Sequence, residues 1–255
     1  MKIKHQLRRG FTLVELLVVI AIIATLAGVG VPVIISKQKE GFRTEAVANA
    51  KSIGIAMFSF EQDYGSYPTT GTDGTSKQVE ENNPEAGFSY VGKYSNDYFR
   101  QLIGAGYVDS EQTFYAKGAY TKKPDSVMRG EKCLGAGEVG FAYIMQTDGN
   151  AIPSSGNSRR PLVVGSVFNG LTNGTFDPDV YARNGVVLRL DQSASIGSIR
   201  PSDKKMIVGG GKTLLQTGPD TVWGNDLNPE IKAPQKTAGS NAGTPTTLQN
   251  NNADN

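Results

Sequence analysis

The stretch Gly10-Phe11-Thr12-Leu13-Val14-Glu15-Leu16-Leu17 opens an apolar run that reaches Ile35 and holds one ionisable side chain, Glu15. From Phe11 to Ile35 the run is 25 residues long. As a helix it would extend about 38 Å at ~1.5 Å per residue, enough to cross a bilayer core of about 30 Å with some tilt. Lys2, Lys4, Arg8 and Arg9 precede it, and no cation follows before Lys37. That asymmetry predicts a cytoplasmic N-terminus with the bulk of the chain on the far side of the membrane. A secretory signal peptide has a shorter apolar core and a small-residue cleavage site behind it. Here the small residue, Gly10, stands in front.

The order Arg8-Arg9-Gly10-Phe11-Thr12-Leu13-Val14-Glu15-Leu16-Leu17 resembles the type IV prepilin signal shared by type IV pilins and the pseudopilins of type II secretion. The likeness covers residues 8–35. It implies cutting by a prepilin peptidase between Gly10 and Phe11, so that residues 1–10 are a leader, and N-methylation of Phe11. Residues 11–35 would stay in the protein, first as an inner-membrane anchor and then as the core of a filament built by an inner-membrane assembly platform. For Glu15 the resemblance implies an ion pair with the Phe11 amine of a neighbouring subunit, which sets register during assembly. The residues alone allow a second account. A carboxylate one helical turn from the start can snorkel to the nearby interface, since a charge left in hydrocarbon is costly and needs a partner or water.

Gly28, Gly30 and Pro32 weaken the same run. Pro32 cannot donate to the Gly28 carbonyl and its ring crowds it, at a cost of about 3 kcal/mol in a helix interior, and each glycine adds roughly 1 kcal/mol relative to alanine. One reading is a kinked membrane helix. The other, implied by the resemblance, is a segment that unwinds when subunits leave the bilayer for a filament.

Beyond residue 35 the pattern changes from uniformly apolar to striped. Ala46, Ala50, Ile53, Met57, Phe60 and Tyr64 recur at steps of three and four, the signature of an amphipathic helix, and most charges fall off the stripe. Tyr64-Gly65-Ser66-Tyr67-Pro68 then places a glycine just past the end and a proline beyond, a stop signal. This run resembles the helix exit of the major pseudopilin of type II secretion. One long helix over 11–64 is expected, with residues 36–68 as its amphipathic continuation and exit.

Residues 69–97 are rich in Thr, Gly, Ser, Asn and acidic groups and read as a surface loop. A short helix is expected over Asp97–Ala105. Strands are expected at Val139–Met145, Pro161–Phe168, Gly185–Leu190 and Lys205–Val208, each bounded by Gly, Asn or Asp turns. Closely spaced strands with short turns predict an antiparallel sheet that packs on the helix stripe. Residues 69–231 thus form a β-rich globular part, and Lys232–Asn255, without aromatic residues, reads as a disordered tail. The fold class is α+β and pilin-like.

Composition limits the chemistry. The formal charge of +2 becomes −2 once the four leader cations are removed, so no basic body exists to hold nucleic acid. Cys133 is the only cysteine, and no intramolecular disulfide can form. Many type IV pilins close a C-terminal loop with one, so the resemblance leans toward pseudopilins and disulfide-free pilins. The only histidine is His5, inside the leader. The mature chain therefore lacks Ser-His-Asp, Cys-His and histidine–metal centres, and no enzymatic activity is expected. Gly209-Gly210-Gly211-Lys212-Thr213 ends like a phosphate-binding loop, but Met206 stands where the first glycine is required. It reads as a turn.

Leu214-Leu215-Gln216-Thr217-Gly218-Pro219-Asp220, followed by Gly224-Asn225-Asp226, resembles the C-terminal loop in which major pseudopilins hold calcium. The resemblance implies Thr217, Asp220, Asn225 and Asp226 as oxygen ligands, and calcium as the one expected cofactor. An ordinary Asx-rich turn is the alternative. The sequence as a whole predicts a single-pass membrane subunit of a pilus or pseudopilus filament, homo-oligomeric or mixed, with its C-terminal part periplasmic or on a surface filament. A tethered binding or adhesion domain that uses the prepilin route only for placement is the competing class.

Overall fold

The computed structural model describes residues 11–90, 92–165 and 174–237, and of Val29, Gly30 and Pro32 the backbone alone. Two units are distinguished, one ending at Lys39 and one beginning at Glu40. The leader, Gly10 with its cleavage point, residues 166–168 of the second expected strand, and residues 238–255 lie outside the described residues.

Helix α1 runs from Leu13 to Tyr64, 52 residues. In the first unit its backbone stays helical through Gly28, Gly30 and Pro32. In the second unit the expected stripe is the buried face: Ala46, Ala50, Ile53, Met57 and Phe60 are all fully buried. Tyr64 is half-buried and stacks on Phe60, with ring centroids 4.4 Å apart. The helix ends as its sequence dictates. Gly65 takes φ +77°, where a Cβ is disfavoured, and its N–H donates to the Glu61 carbonyl at 2.8 Å.

The stripe packs on a seven-stranded antiparallel sheet of spatial order β6-β5-β4-β3-β2-β1-β7. The strands are β1 Phe141–Gln146, β2 Pro161–Gly165, β3 Asn184–Arg189, β4 Ala194–Ile199, β5 Met206–Gly209, β6 Lys212–Thr213 and β7 Pro229–Lys232. The sheet is covered on both faces. Phe141, Tyr143 and Met145 of β1 join the core under α1, with Val163, Val186 and Leu188. Ala142 and Ile144 point the other way, into a second core around Trp223, Leu227 and Ile231. This is why β1 reads as a continuous apolar run instead of alternating.

Three expectations are corrected. Residues 69–97 are not a plain loop: they hold helix α2, Thr75–Asn82, and a 3-10 turn over Pro84–Ala86. Val79 is the single buried apolar residue of α2, so its period was too sparse to see. Strands β4, β6 and β7 are not among the expected strands. The tail does not begin at Lys232, since that residue ends β7, and the chain stays tied down as far as the described residues go.

Helix α3, Ser95–Gly104, does the tying. The Ser95 N–H donates to the Ala233 carbonyl at 3.0 Å. The Gln235 N–H donates to Asn96 Oδ1 at 2.8 Å, while Asn96 Nδ2 reaches the Leu134 carbonyl at 2.6 Å. Asp97 accepts the Lys93 and Tyr94 N–H groups and pairs with Arg100 Nη1 at 2.8 Å, both charges being buried. Arg100 Nε in turn donates to the Cys133 carbonyl at 2.8 Å. A buried pair this well bonded holds the 133–135 turn and residues 233–235 against one short helix.

Candidate anchoring and assembly site

The first turn of α1 has a local structure that the sequence reading missed. Thr12 stands at the N-cap and Glu15 at the third helical position. The Glu15 N–H donates to Thr12 Oγ1 at 3.2 Å, and the Thr12 N–H and hydroxyl both donate to Glu15 Oε2 at 2.8 Å. This is a reciprocal capping box. Its signal, a Thr followed three residues later by a Glu before an apolar run, is present in the sequence as Thr12-Leu13-Val14-Glu15. Glu15 therefore has an intrachain role in addition to the two considered from sequence: it stops the start of the helix from fraying.

From Phe11 to Ile35 the described apolar side chains are exposed, Phe11 at 73% and Leu13 at 79%. This helix is long and apolar enough to cross a membrane. A soluble protein rarely leaves so large an apolar surface uncovered, so the surface is built for lipid or for other helices. A smaller apolar patch lies on α1 in the second unit. Ile55 is 62% exposed and Phe58 43%, one turn apart on the face away from the sheet.

The remaining candidates divide. Gly209, Gly210 and Gly211 all take positive φ at the tip joining β5 to β6, so the failed phosphate motif is a hairpin turn. Cys133 is fully buried, and burial, followed by the Glu111 carboxylate, pushes its thiol up to about 12. A thiol in that environment is a packing group, not a nucleophile. In the C-terminal loop the Gly218 N–H donates to the Gly224 carbonyl at 2.9 Å, and Trp223, fully buried, donates its Nε1–H to the Leu214 carbonyl at 2.6 Å. Asp220, Asn225 and Asp226 stand exposed at the rim of this loop and Thr217 is half-buried. Among the described residues, Asp220 and Asp226 do not come together with a third acidic group.

A family model described as the prokaryotic N-terminal methylation motif matches residues 6–31. The N-terminal segment carries this motif. Similar curated proteins include the type II secretion system core protein G of Pectobacterium carotovorum subsp. carotovorum, 36% identical over 63 residues, which is 25% of this chain and 40% of that protein. The namesake protein of Escherichia coli (strain K12) is 36% identical over 63 residues, 25% of this chain and 43% of that one. The type IV major pilin protein PilA of Myxococcus xanthus (strain DK1622) is 41% identical over 59 residues, 23% of this chain and 27% of PilA. The chain thus spans less than half the length of these relatives. No solved structure matches it. The methylation-motif match includes the capping box, Glu15 and most of the exposed apolar run.

Proposed function

We propose that this chain is a structural, non-catalytic subunit of a type IV pilus-like or type II secretion pseudopilus filament. The observation that carries the reading is the prepilin-type N-terminus on an apolar helix whose side chains are uncovered. A prepilin peptidase cuts after Gly10 and Phe11 is methylated. Residues 11–35 anchor the subunit in the inner membrane as a single pass, with the N-terminus cytoplasmic and the second unit periplasmic or displayed. The assembly platform then draws subunits into a filament, where helix packs on helix and Ile55 and Phe58 add apolar contact beyond the membrane span. The similarity to both core protein G and a major pilin supports the filament class without choosing between the two machines.

Shearing cells and fractionating the sheared material tests this reading. The chain is expected to co-sediment with filaments, or to form them when overproduced with the assembly platform, and to remain in the membrane when the platform is deleted. Recovery only as a membrane-bound monomer under both conditions would contradict a filament role and leave a tethered domain.

A further inference from the structure

Three segments far apart in the sequence bring carboxylates to one point. Glu111 opens the 3-10 turn Glu111–Phe114. Asp125 sits in an exposed turn where its Oδ1 accepts the Val127 N–H at 2.9 Å. Glu138 leads into β1. One oxygen from each lies within 4.8 Å of the other two.

Two of these side chains are in the wrong place for free carboxylates. Glu111 and Glu138 are each 1% exposed. Glu111 Oε1 accepts the Leu134 N–H at 2.6 Å, and Oε2 has no hydrogen-bond partner. The Ser126 N–H lies close enough to this carboxylate to favour its charged form. Glu138 Oε2 accepts the Gly135 N–H at 2.7 Å, whereas Oε1 has no hydrogen bond and only the Lys122 ammonium 3.2 Å away. The Lys122 side chain is 53% exposed, so it is a solvated counter-charge. Burial raises the Glu111 carboxyl above the usual carboxylate range; the Leu134 and Ser126 N–H groups oppose this, and the charges of Glu138 and Asp125 add to it.

A buried, unpartnered carboxylate oxygen normally marks a missing partner. Here Glu111 Oε2 is such an oxygen, and Glu138 Oε1, whose one counter-charge is the half-exposed Lys122, lies in the same group of three carboxylates. We propose that Glu111, Asp125 and Glu138 bind a calcium ion. An all-oxygen donor set selects hard cations over zinc or copper. Calcium takes six to eight oxygens at about 2.3–2.6 Å in irregular geometry, so ligands up to about 5 Å apart can share one ion. Magnesium demands a tighter octahedron and dehydrates reluctantly, which suits ligands from three separate loops poorly. Glu111 and Glu138 supply the buried side of the shell. Asp125, being exposed, leaves room for ion entry and for water, and Lys122 swings out to solvent as the ion arrives. The bound ion would link the 111–114 turn, the 124–127 turn and the approach to β1.

The test is calorimetric titration of the full chain, purified in detergent and stripped of metal, with calcium chloride and in parallel with magnesium chloride. One calcium per chain is expected, with a Kd of about 10⁻⁴ M or tighter, and magnesium at least about tenfold weaker. Asp125→Asn, at an exposed position that cannot unfold the core, should weaken calcium binding at least about tenfold, and Glu111→Gln should do the same. Asp220→Asn together with Asp226→Asn should leave this affinity unchanged. The proposal is overturned by absence of calcium heat in the parent chain, by unchanged binding in Asp125→Asn, or by binding that is lost only in the Asp220, Asp226 double variant.

Discussion

Replacing Glu15 by alanine is expected to abolish filaments while leaving membrane insertion and cleavage after Gly10 intact. The side chain holds two interactions that must be separated. Within the chain it completes the capping box with Thr12; between chains it is proposed to meet the Phe11 amine of a neighbour. A close charge pair in a water-poor interface couples strongly enough that its loss should lower filament yield by roughly tenfold or more. Glutamine distinguishes the two roles, because it can still accept the Thr12 N–H at the third helical position but carries no charge. Filament failure in both Glu15→Ala and Glu15→Gln would assign the effect to charge. Normal filaments in Glu15→Gln with failure in Glu15→Ala would assign it to the cap. Normal filaments in both would remove Glu15 from assembly.

The largest effect on the second unit is expected from Gly140→Ala. Gly140 enters β1, and its N–H donates to the Phe114 carbonyl at 2.9 Å. A Cβ here would lie 2.3 Å from the Ala116 carbonyl oxygen and 2.6 Å from the Ala116 nitrogen. These are backbone atoms, so relief requires moving either the strand or the 114–116 segment, both of which are buried. Overpacking of this kind costs about 3 kcal/mol. For a unit of this size that lowers Tm by roughly 6–12 °C. Gly41→Ala is the matching control: Gly41 lies in α1, exposed, with nothing within 4 Å of an added Cβ. It should stabilise by roughly 0.5–1 kcal/mol. Trp223 fluorescence during thermal melting of the detergent-solubilised chain reads both. Equal melting temperatures for Gly140→Ala and the parent would mean that the contact between β1 and the 114–116 segment is not as tight as described.

What could be read from the residues follows their physical chemistry. Helix α1 was legible because a predominantly apolar run of 25 residues leaves no other state in a membrane, and because the stripe from Ala46 to Phe60 has the helical period. Strands β1, β2, β3 and β5 were legible from clustered β-branched and aromatic residues. Strand β4, Ala194-Ser195-Ile196-Gly197-Ser198-Ile199, was not, because its small polar residues hide the pattern and Ile196 is 46% exposed. Pairing with β3, Gly185 opposite Gly197 and Val187 opposite Ser195, and with β5, Ile199 opposite Met206, makes it a strand. Strand β7, Pro229-Glu230-Ile231-Lys232, carries a proline and two charges. It is tolerated because it is an edge strand and Glu230 is paired with Lys232 at 2.5 Å.

The sites divide along the same line. The capping box at Thr12 and Glu15 is local, and its Thr-x-x-Glu spacing is legible in the sequence. The meeting of Glu111, Asp125 and Glu138 depends on how three loops fold over the start of β1, and no spacing in the sequence announces it. Asp220, Asn225 and Asp226, whose spacing resembles a ligand loop, stand at the exposed rim of their loop.

The central claim is that this chain enters the membrane as a prepilin and is processed for assembly. Intact-mass spectrometry of the protein from membranes of cells with an active prepilin peptidase tests it most directly. The expected mass is that of residues 11–255 with one added methyl group, the fragment spectrum placing that group on the Phe11 amine. A mass that still includes Met1 through Gly10, with the peptidase shown to be active on another substrate in the same cells, would contradict the account.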